Sequence, residues 1–569
     1  ILSLITNPDF FNYVLTVAAL TRQDTRRMKI PSAFELNPHQ FLPIIHAIHE
    51  YKVSDTGEAT EEVVVTVDQT GTDLDPEHKV AYFREDIGVN SHHWHWHVVY
   101  PWDYSSEALA KDRKGELFYY MHRQMVARYD GERASVGLER VQALDDWDKP
   151  IPEGYAPHLT TGDGDPYAVR VPDMILSGIE GMSLHDMRQF RNRILTATKE
   201  GYFIKPDGSR EEVTIDRLGA AVEHSVYSPN QVYYGGPAGI HNHGHDLLAQ
   251  IQDPDGRYKN NVPGGVMGYV QTACRDPVFF RWHKFVDDLF ESHKRTLPPY
   301  TDEELAWSNI AINTFEIQNE LARSVDNINT FMRKKTLEII YGLDFSKSQD
   351  KVKVTVPHLD HENFNYKLSV TNHTSQNQVA TVRIFLAPKN SDQGVDLLME
   401  DYRTLCIELD KFTHTVSPGE QTFTRSAEAS SVTIHWDNII GSLNTDINDY
   451  DKSFCGCGWP HYLLLPRGRS KAEGGSDYSL FVMMTDWEQD RVLDESRPES
   501  ECDQCGSNAA SYCGLLNEKY PDKKPMGYPF DRLTKATTLD GFMEGKSNMK
   551  STDIKITYKG QLDLKSGDK

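Results

Sequence analysis

A short segment of the chain concentrates side chains that can bind a metal. Residues 92–97 hold four histidines and two tryptophans, although the whole chain of 569 residues contains only 23 histidines. Residues four apart on a helix share one face, so His93 and His97 would lie one turn apart while His92 and His95 point elsewhere. A lone histidine is more often a structural residue, but two imidazoles in this arrangement can bind one metal ion.

The sequence also indicates where this helix begins and ends. Asn90 or Ser91 would serve as the N-cap, because short polar side chains accept hydrogen bonds from the first free backbone N–H groups. Pro101 would end the helix, since proline cannot continue the hydrogen-bonded ladder. A helix with these ends would present the first histidine pair.

The same spacing occurs a second time, in the segment GIHNHGHDLL. His241 and His245 are four residues apart, and His243 would face away from them. Pro237 would lie in the first turn of this second helix. The repeat of the pair favours a metal site over an accidental cluster.

Each pair is followed by a third candidate histidine on a separate predicted helix. His122 lies in GELFYYMHRQMVARYDGER, which we expect to end at Gly131. His283 lies in RDPVFFRWHKFVDDLF, with Asp276 as N-cap and Pro277 at the first helical position. A four-helix bundle could direct all six imidazoles towards its axis.

Six imidazoles without a carboxylate favour copper over other metals. Di-iron bundles use Glu-x-x-His pairs, which are missing at these positions, and hydrolytic zinc pairs usually need a bridging carboxylate. Copper binds nitrogen ligands tightly among divalent ions. Aromatic residues near the histidines would keep the site dry: Trp94, Trp96, Phe279, Phe280 and Trp282.

Composition and charge limit the possible partners. Apolar residues make up 38% of the chain and charged residues 25%, which is typical of a globular protein. The net charge of -24 argues against nucleic acid or an anionic membrane as the main partner, because like charges repel. The chain opens with ILSLITNPDFF, without an initiator Met or a signal peptide, so we expect it to begin inside a domain.

The seven cysteines are unevenly placed. Cys274 and Cys406 stand alone, whereas five others lie within 59 residues: Cys455, Cys457, Cys502, Cys505 and Cys513. Zinc binding by this cluster is one interpretation. Two disulfides are the preferred one, since the paired spacing of a zinc finger is missing, and they would place the protein in an oxidising compartment.

The spacing of apolar residues changes once along the chain, from a helical pattern to a strand-like one. Residues 8–300 are largely helical in pattern, with one short strand candidate at residues 63–67 and a domain boundary near residue 75. Beyond residue 300, short β-branched and aromatic segments predict an antiparallel sandwich. These segments are residues 352–356, 367–371, 379–386, 431–436, 478–484 and 553–558.

Five motifs together resemble the arthropod hemocyanins, in particular the chelicerate type. They are HHWHWHVVYP, HNHGH, DPVFFRWH, CGCGWPHYLLLPRG and KKPMGYPFDR, and the match runs along nearly the whole chain. The resemblance implies a truncated helical N-terminal domain over residues 1–75, a helical dicopper domain over 76–300, and an immunoglobulin-like antiparallel β-sandwich over 301–569.

The resemblance also implies a type 3 dicopper centre with O2 as its ligand. Copper A would be held by His93, His97 and His122, and copper B by His241, His245 and His283. O2 would bind reversibly, side-on as peroxide between two Cu(II) ions. Family members assemble as hexamers or multiples of hexamers and circulate in hemolymph.

The alternative function that the resemblance implies is phenoloxidase activity on o-diphenols at the same centre. Related phenoloxidases carry the same Gly-Cys-Gly-Trp-Pro motif, residues 456–460 here. In relatives a phenylalanine from an earlier N-terminal segment shields the copper pocket, and we expect this chain to start after that segment. A storage role of the hexamerin kind would require loss of the six histidines, which are all present.

The resemblance assigns a few further residues. It implies disulfides that join Cys455 and Cys457 to two later cysteines, with Cys505 and Cys513 preferred over Cys502. Glu223 is either an acid behind the copper B ligands or an ordinary solvated or capping residue. Asn372 begins an Asn-His-Thr glycosylation sequence, which we expect to be unused.

Overall fold

The helices of the protein lie mainly before residue 300. The computed structural model describes residues 8–22, 24–25, 31–43, 64–101, 111–161, 164–255, 263–339, 352–391, 393–439, 458–492 and 520–562. Within these ranges the helices are α1 (Pro8–Thr21), α2 (Ala33–Leu36), α3 (Ala81–Arg84), α4 (Ile87–Val99), α5 (Lys114–Ser135), α6 (Leu184–Glu200), α7 (Ile215–Glu223), α8 (Gln231–Gly235), α9 (Gly239–Ala249), α10 (Pro277–Lys294), α11 (Asp302–Leu305), α12 (Met399–Leu405), α13 (Trp436–Ile439), α14 (Trp487–Asp490) and α15 (Leu539–Met543).

The strands follow the predicted change of pattern. They are β1 (Val64–Thr66), β2 (Tyr202–Ile204), β3 (Arg210–Glu212), β4 (Ile310–Asn319), β5 (Ser324–Val325), β6 (Asn327–Ile339), β7 (Val352–His361), β8 (Phe364–Asn372), β9 (Gln378–Pro388), β10 (Ile407–Val416), β11 (Gly419–Ser426), β12 (Thr433–Ile434), β13 (Trp459–Pro460), β14 (Arg469–Ser470), β15 (Ser476–Asp486) and β16 (Met549–Gln561). The strand candidate at residues 63–67 is confirmed over Val64–Thr66, as β1, and residue 63 lies outside the described residues.

Two sheets form the C-terminal sandwich. The larger has the order β1-β7-β6-β16-β15-β9-β10, with β14 also paired to β16, and the smaller has the order β11-β8-β4-β5. Most pairings are antiparallel, as expected. Three in the larger sheet are parallel, because β16 lies beside β6 and β14, and β1 lies beside β7.

Alternation along β9 shows how the larger sheet is packed on both faces. Ile384 and Leu386 join the core between the two sheets. Phe385 and Ala387 point to the other face, where they pack with α12. A third core runs through the helices and continues into β6 and β7, so the bundle and the sandwich share buried apolar surface.

Helix α4 begins earlier than the sequence suggests. Its N-cap is Asp86, whose Oδ1 accepts a hydrogen bond from the Val89 N–H at 3.0 Å, so the prediction of Asn90 or Ser91 is wrong. Asn90 lies inside the helix and donates to the carbonyl oxygen of Asp86 at 2.9 Å. The predicted end before Pro101 is confirmed.

Two other predicted helix ends are wrong, and one start is confirmed. Helix α5 continues past Gly131 to Ser135, because this glycine serves close packing: a Cβ there would lie 3.1 Å from Pro466. Helix α9 begins after Pro237, since Gly236 has a left-handed φ of 61° that interrupts the helical path. Asp276 caps α10 as expected.

The prediction of a strand over residues 431–436 is wrong for most of its length. Only Thr433–Ile434 form a strand, β12, and the next helix begins at Trp436. Strands β4, β6, β10 and β11 were not among the predicted segments. The five clustered cysteines, and with them the predicted disulfides, lie outside the described residues, whereas Cys274 and Cys406 are buried free thiols.

Candidate metal centre

Four helices bring the six predicted histidines into one buried cluster. Helix α4 carries His93 and His97, α5 carries His122, α9 carries His241 and His245, and α10 carries His283. Five of the six are less than 10% exposed, and His245 is half-buried. Sequence spacing therefore identified side chains that the fold places together.

The ring nitrogens of the first triad converge closely. Nε2 of His93 lies 3.1 Å from Nε2 of His97 and 3.3 Å from Nε2 of His122. Ligand nitrogens on a metal with bonds of about 2.0 Å lie about 3.3 Å apart in a tetrahedral arrangement. The observed separations match that value.

The second triad is less compact but continuous with the first. Nε2 of His245 lies 3.3 Å from Nε2 of His283, and the ring of His241 is centred 4.7 Å from His245 and 5.1 Å from His283. Nitrogens of His122, His241 and His283 also lie within 4.8 Å of one another. His122 thus lies between the two predicted triads.

Hydrogen bonds fix the tautomers of several of these rings. Four of the Nδ1 atoms face an oxygen that can only accept, so each Nδ1 carries the proton and each Nε2 presents a lone pair. The four pairs are His93 with Val270 O at 2.8 Å, His122 with Phe118 O at 2.8 Å, His245 with Met267 O at 2.9 Å, and His241 with Asn242 Oδ1 at 2.8 Å.

This arrangement fits a metal better than it fits hydrogen bonding. Nε2 of His93 and Nε2 of His122 both present lone pairs at 3.3 Å, and two lone pairs repel unless a cation lies between them. Nε2 of His241 is buried without a hydrogen-bond partner among the described residues. The donor set, which is neutral imidazole alone, suits copper.

Burial keeps the imidazoles neutral at physiological pH. It lowers the pKa of His93 to about 3 and that of His245 to about 4. Burial first, and then the neighbouring histidines, also lower the pKa of the other four well below the ordinary value: His97, His122, His241 and His283. Neutral imidazole is the form that binds metals, so the cluster is ready for ligation.

Aromatic rings enclose the cluster, although not all the predicted ones do. Phe279 lies 4.2 Å from His283 and 5.1 Å from His93, measured between ring centroids. Trp96 packs at 5.0 Å from His97, and the Trp282 indole donates to the carbonyl oxygen of His241 at 3.3 Å. Phe280 instead stacks on Tyr129 at 3.8 Å, on the far side of α10.

The other histidines of the two motifs face away, as predicted. His92 Nδ1 lies 3.2 Å from the carbonyl oxygen of Gly458, and its ring packs against Trp459. His243 lies near Phe190.

Glu223 is close to the cluster through its backbone rather than its side chain. Its carbonyl oxygen accepts from Asn242 Nδ2 at 3.1 Å, and Asn242 in turn accepts from His241. The carboxylate forms an ion pair with Lys114 at 3.0 Å. Burial raises the pKa of Glu223, an effect that Lys114 opposes.

Further residues support the cluster beyond those predicted from the sequence. Phe118, an apolar neighbour of His122 that was not among the aromatic residues predicted to keep the site dry, lies 4.6 Å from His122 and 4.9 Å from His241. Asn242 could have been suspected from its place next to His241. The carbonyl oxygen of Met267 comes from a short 3-10 helix, Val266–Gly268, and that of Val270 from the turn after it, and neither element was predicted from the sequence.

Two family models match the chain and cover most of it. The hemocyanin copper-containing domain matches residues 32–290, and the hemocyanin ig-like domain matches residues 299–558. The chain belongs to the hemocyanin family. A hemocyanin copper domain holds two copper ions and binds O2, so copper is the metal of this centre.

Known proteins agree with this placement. The hemocyanin F chain of Aphonopelma sp. is 42% identical, and the match covers 98% of this chain and 87% of that one. The scorpion hemocyanin structure in its activated state aligns with a TM-score of 0.87 at 40% identity, over 98% of this chain and 87% of that chain. A crustacean hemolymph-type prophenoloxidase aligns with a TM-score of 0.82 at 32% identity, over 98% and 83%.

Proposed function

We propose that this hemocyanin chain binds O2 reversibly and transports it. The observation that carries the proposal is the cluster of six neutral, mostly buried imidazoles on four helices, within a domain of the copper-containing type. When bound there, a pair of copper ions supplies reversible two-electron exchange with O2. Release of unchanged O2 is what separates a carrier from an enzyme.

The proposed ligands form two sets of three. Copper A would be held by His93, His97 and His122, and copper B by His241, His245 and His283. The backbone carbonyls that accept from Nδ1 of His93, His122 and His245 support this assignment, because they hold the Nε2 atoms of these three rings towards the cluster. Phe279 and Trp96 would exclude water and bulky reductants from the site.

The first test is the near-ultraviolet absorption of the copper-loaded protein, cycled between air and nitrogen. We expect a strong band that appears with O2 and disappears without it. His97→Ala and His245→Ala should lower the copper content and remove the band. His95→Ala is the matched control, since His95 lies on α4 between the two ligands of one triad but outside the cluster. Normal O2 loading by either triad variant would refute the assignment.

Oxidation of o-diphenols at the same centre is the second candidate function. It is favoured by the likeness to the crustacean prophenoloxidase over 98% of this chain. His245 is the half-buried member of the six and marks the side from which a ligand could approach. Steady turnover of catechol by the intact chain, measured with quinone formation, would support this function, and O2 cycling without quinone would contradict it.

We also propose the larger organisation of the protein. Residues 1–75 would form a helical N-terminal part, 76–300 the copper-bearing domain and 301–569 the sandwich, as the positions of the six histidines and of strands β4 to β16 support. Hemocyanins are oligomeric hemolymph proteins, and we expect hexamers or multiples of them in extracellular hemolymph. Among the described helices, none is both long and apolar enough to cross a bilayer.

A further inference from the structure

Lys114 is a buried cation close to the metal centre. It is the first residue of α5, is 6% exposed, and donates a hydrogen bond from Nζ to the carbonyl oxygen of Pro101 at 2.9 Å. Its Nζ lies 3.0 Å from Glu223 Oε2, and Glu223 is 1% exposed. Removing one partner of a buried ion pair leaves the other charge buried and uncompensated, which is strongly destabilising.

The ion pair is connected to His241 by a short chain of contacts. The backbone oxygen of Glu223 accepts from Asn242 Nδ2 at 3.1 Å, and Asn242 Oδ1 accepts from His241 Nδ1 at 2.8 Å. His93, His122 and His245 are instead oriented by backbone carbonyl oxygens. The orientation of His241 therefore depends on a side chain that is itself held by the end of α7.

Helix α7 is fixed against the start of α5 by direct backbone contact. A Cβ at Gly115 would lie 2.0 Å from the carbonyl oxygen of Asp216, and one at Gly219 would lie 2.1 Å from that of Gly115. The Asp216 carboxylate also accepts from the N–H groups of Gly115 and Glu116 at 2.9 and 3.2 Å. Lys114 adds an ionic clamp at the other end of α7.

Through α7, this packing links two helices that carry proposed ligands of different triads. Helix α5 holds His122, and α9, which α7 supports through Asn242, holds His241. The centroids of these two rings are 5.8 Å apart. A shift of α7 relative to α5 would change the separation of the two proposed copper ions without removing any ligand.

We propose that Lys114 is a positioning residue that sets the geometry between the two copper ions, acting through Glu223 and Asn242 on His241. This inference rests on the proposed function, because it assumes that both triads bind copper. Partners of metal-ligating histidines typically change metal affinity by about 10-fold or more when they are removed.

The test compares Lys114→Met with the wild-type protein and with Lys294→Met. Lys294 is a matched control: it is 1% exposed, pairs with Asp531 at 3.4 Å, and lies at the end of α10, eleven residues after His283. Stepwise titration of the metal-free protein with Cu(I) should show a second copper bound about 10-fold more weakly in Lys114→Met. After oxidation, electron paramagnetic resonance should show uncoupled Cu(II) in this variant and not in Lys294→Met.

A double variant tests whether Lys114 acts through the chain of contacts to His241. If Lys114 acts through Asn242, the double variant Lys114→Met/Asn242→Ala should weaken the second copper no more than the stronger single variant. The inference would be overturned if the losses of copper affinity in the two single variants were additive in the double variant. It would also be overturned if Lys114→Met bound the second copper with unchanged affinity and showed no uncoupled Cu(II) by electron paramagnetic resonance. If Lys114→Met does not fold, Glu223→Gln and Asn242→Ala carry the same coupling test. Failure of the wild-type protein to show an O2-dependent band would instead refute the proposed function.

Discussion

The rings of His122 and His283 lie parallel, with their centroids 4.1 Å apart and an angle of 4° between their planes. They come from α5 and α10 and from different predicted triads. Burial lowers the pKa of both rings and so keeps both neutral, and the neighbouring His122 lowers the pKa of His283 further. The two metal sites therefore form one electrostatic unit.

Replacement of His122 should affect both sites. It contacts His93 through Nε2 at 3.3 Å and shares a nitrogen cluster with His241 and His283. In His122→Ala we expect copper content to fall by at least half and the O2-dependent band to vanish, as measured by metal analysis and absorption. His293→Ala is the control, since this buried histidine lies on α10 outside the cluster. A retained band in His122→Ala would contradict the shared role.

Acid should destabilise the metal-free protein. The pKa of His93 is about 3 and that of His245 about 4 in the folded chain, both below the ordinary value of about 6.5. Between the folded-state pKa of each histidine and about pH 6.5, the unfolded chain binds more protons than the folded chain. The free energy of unfolding is therefore highest above about pH 6.5 and falls as the pH is lowered. The free energy of unfolding should drop by about 1.4 kcal/mol per pH unit for each histidine that stays neutral.

Urea denaturation of the metal-free protein at pH 8.5, 7.5, 6.5 and 5.5 measures this dependence. The histidines should contribute little between pH 8.5 and 7.5, which serves as the internal control. A free energy of unfolding that stays constant from pH 6.5 to 5.5 would show that the buried imidazoles accept protons without cost.

Gly244→Ala should disturb the second triad. A Cβ at this position would lie 1.8 Å from Cζ2 of Trp282, a ring that is 1% exposed and cannot move aside. We expect a loss of stability of at least about 1–3 kcal/mol from overpacking and weaker binding of the second copper. Gly541→Ala is the control, because a Cβ in α15 would meet nothing closer than 3.3 Å. Unchanged copper stoichiometry and melting temperature would argue against this packing.

Asn372 should remain unglycosylated in the folded protein. It is 2% exposed, and its Nδ2 donates to Gln376 O at 2.8 Å and Val416 O at 2.9 Å. Intact mass spectrometry before and after glycosidase treatment should show no change at this residue. Asn372→Ala should lower the free energy of unfolding by about 1–3 kcal/mol, since the buried carbonyl of Val416 loses its donor. A glycan at Asn372 would mean that modification precedes folding of β8.

The sequence was sufficient to predict the cluster of imidazoles, because the histidines follow helical spacing. His93 with His97, and His241 with His245, share one helix face by geometry alone, whatever the exact helix ends. The ends themselves were harder to predict. Both Asp86 and Asn90 have side chains that can cap a helix, and the structure uses Asp86. Gly131 suggests the end of a helix, but here it lies inside α5 because Pro466 packs against it.

The pairing of strands in the large sheet, and the backbone carbonyls that orient the histidines, were less predictable from the sequence. Strand β16 runs parallel to β6 although 210 residues separate Ile339 from Met549, and local alternation carries no information about such partners. The carbonyl of Val270 reaches His93 from a segment 177 residues away. Such contacts depend on how whole elements pack, which a single sequence does not reveal.

Strand β1 pairs in parallel with β7, so that Val64, Val65 and Thr66 lie opposite Lys353, Val354 and Thr355. A ribosome must therefore synthesise nearly three hundred further residues before the early segment finds its partner. Contacts between distant parts of a chain form slowly because loop closure costs entropy. The helices that carry the histidines can thus form during translation, whereas the edge of the large sheet is completed only after β7 has left the ribosome.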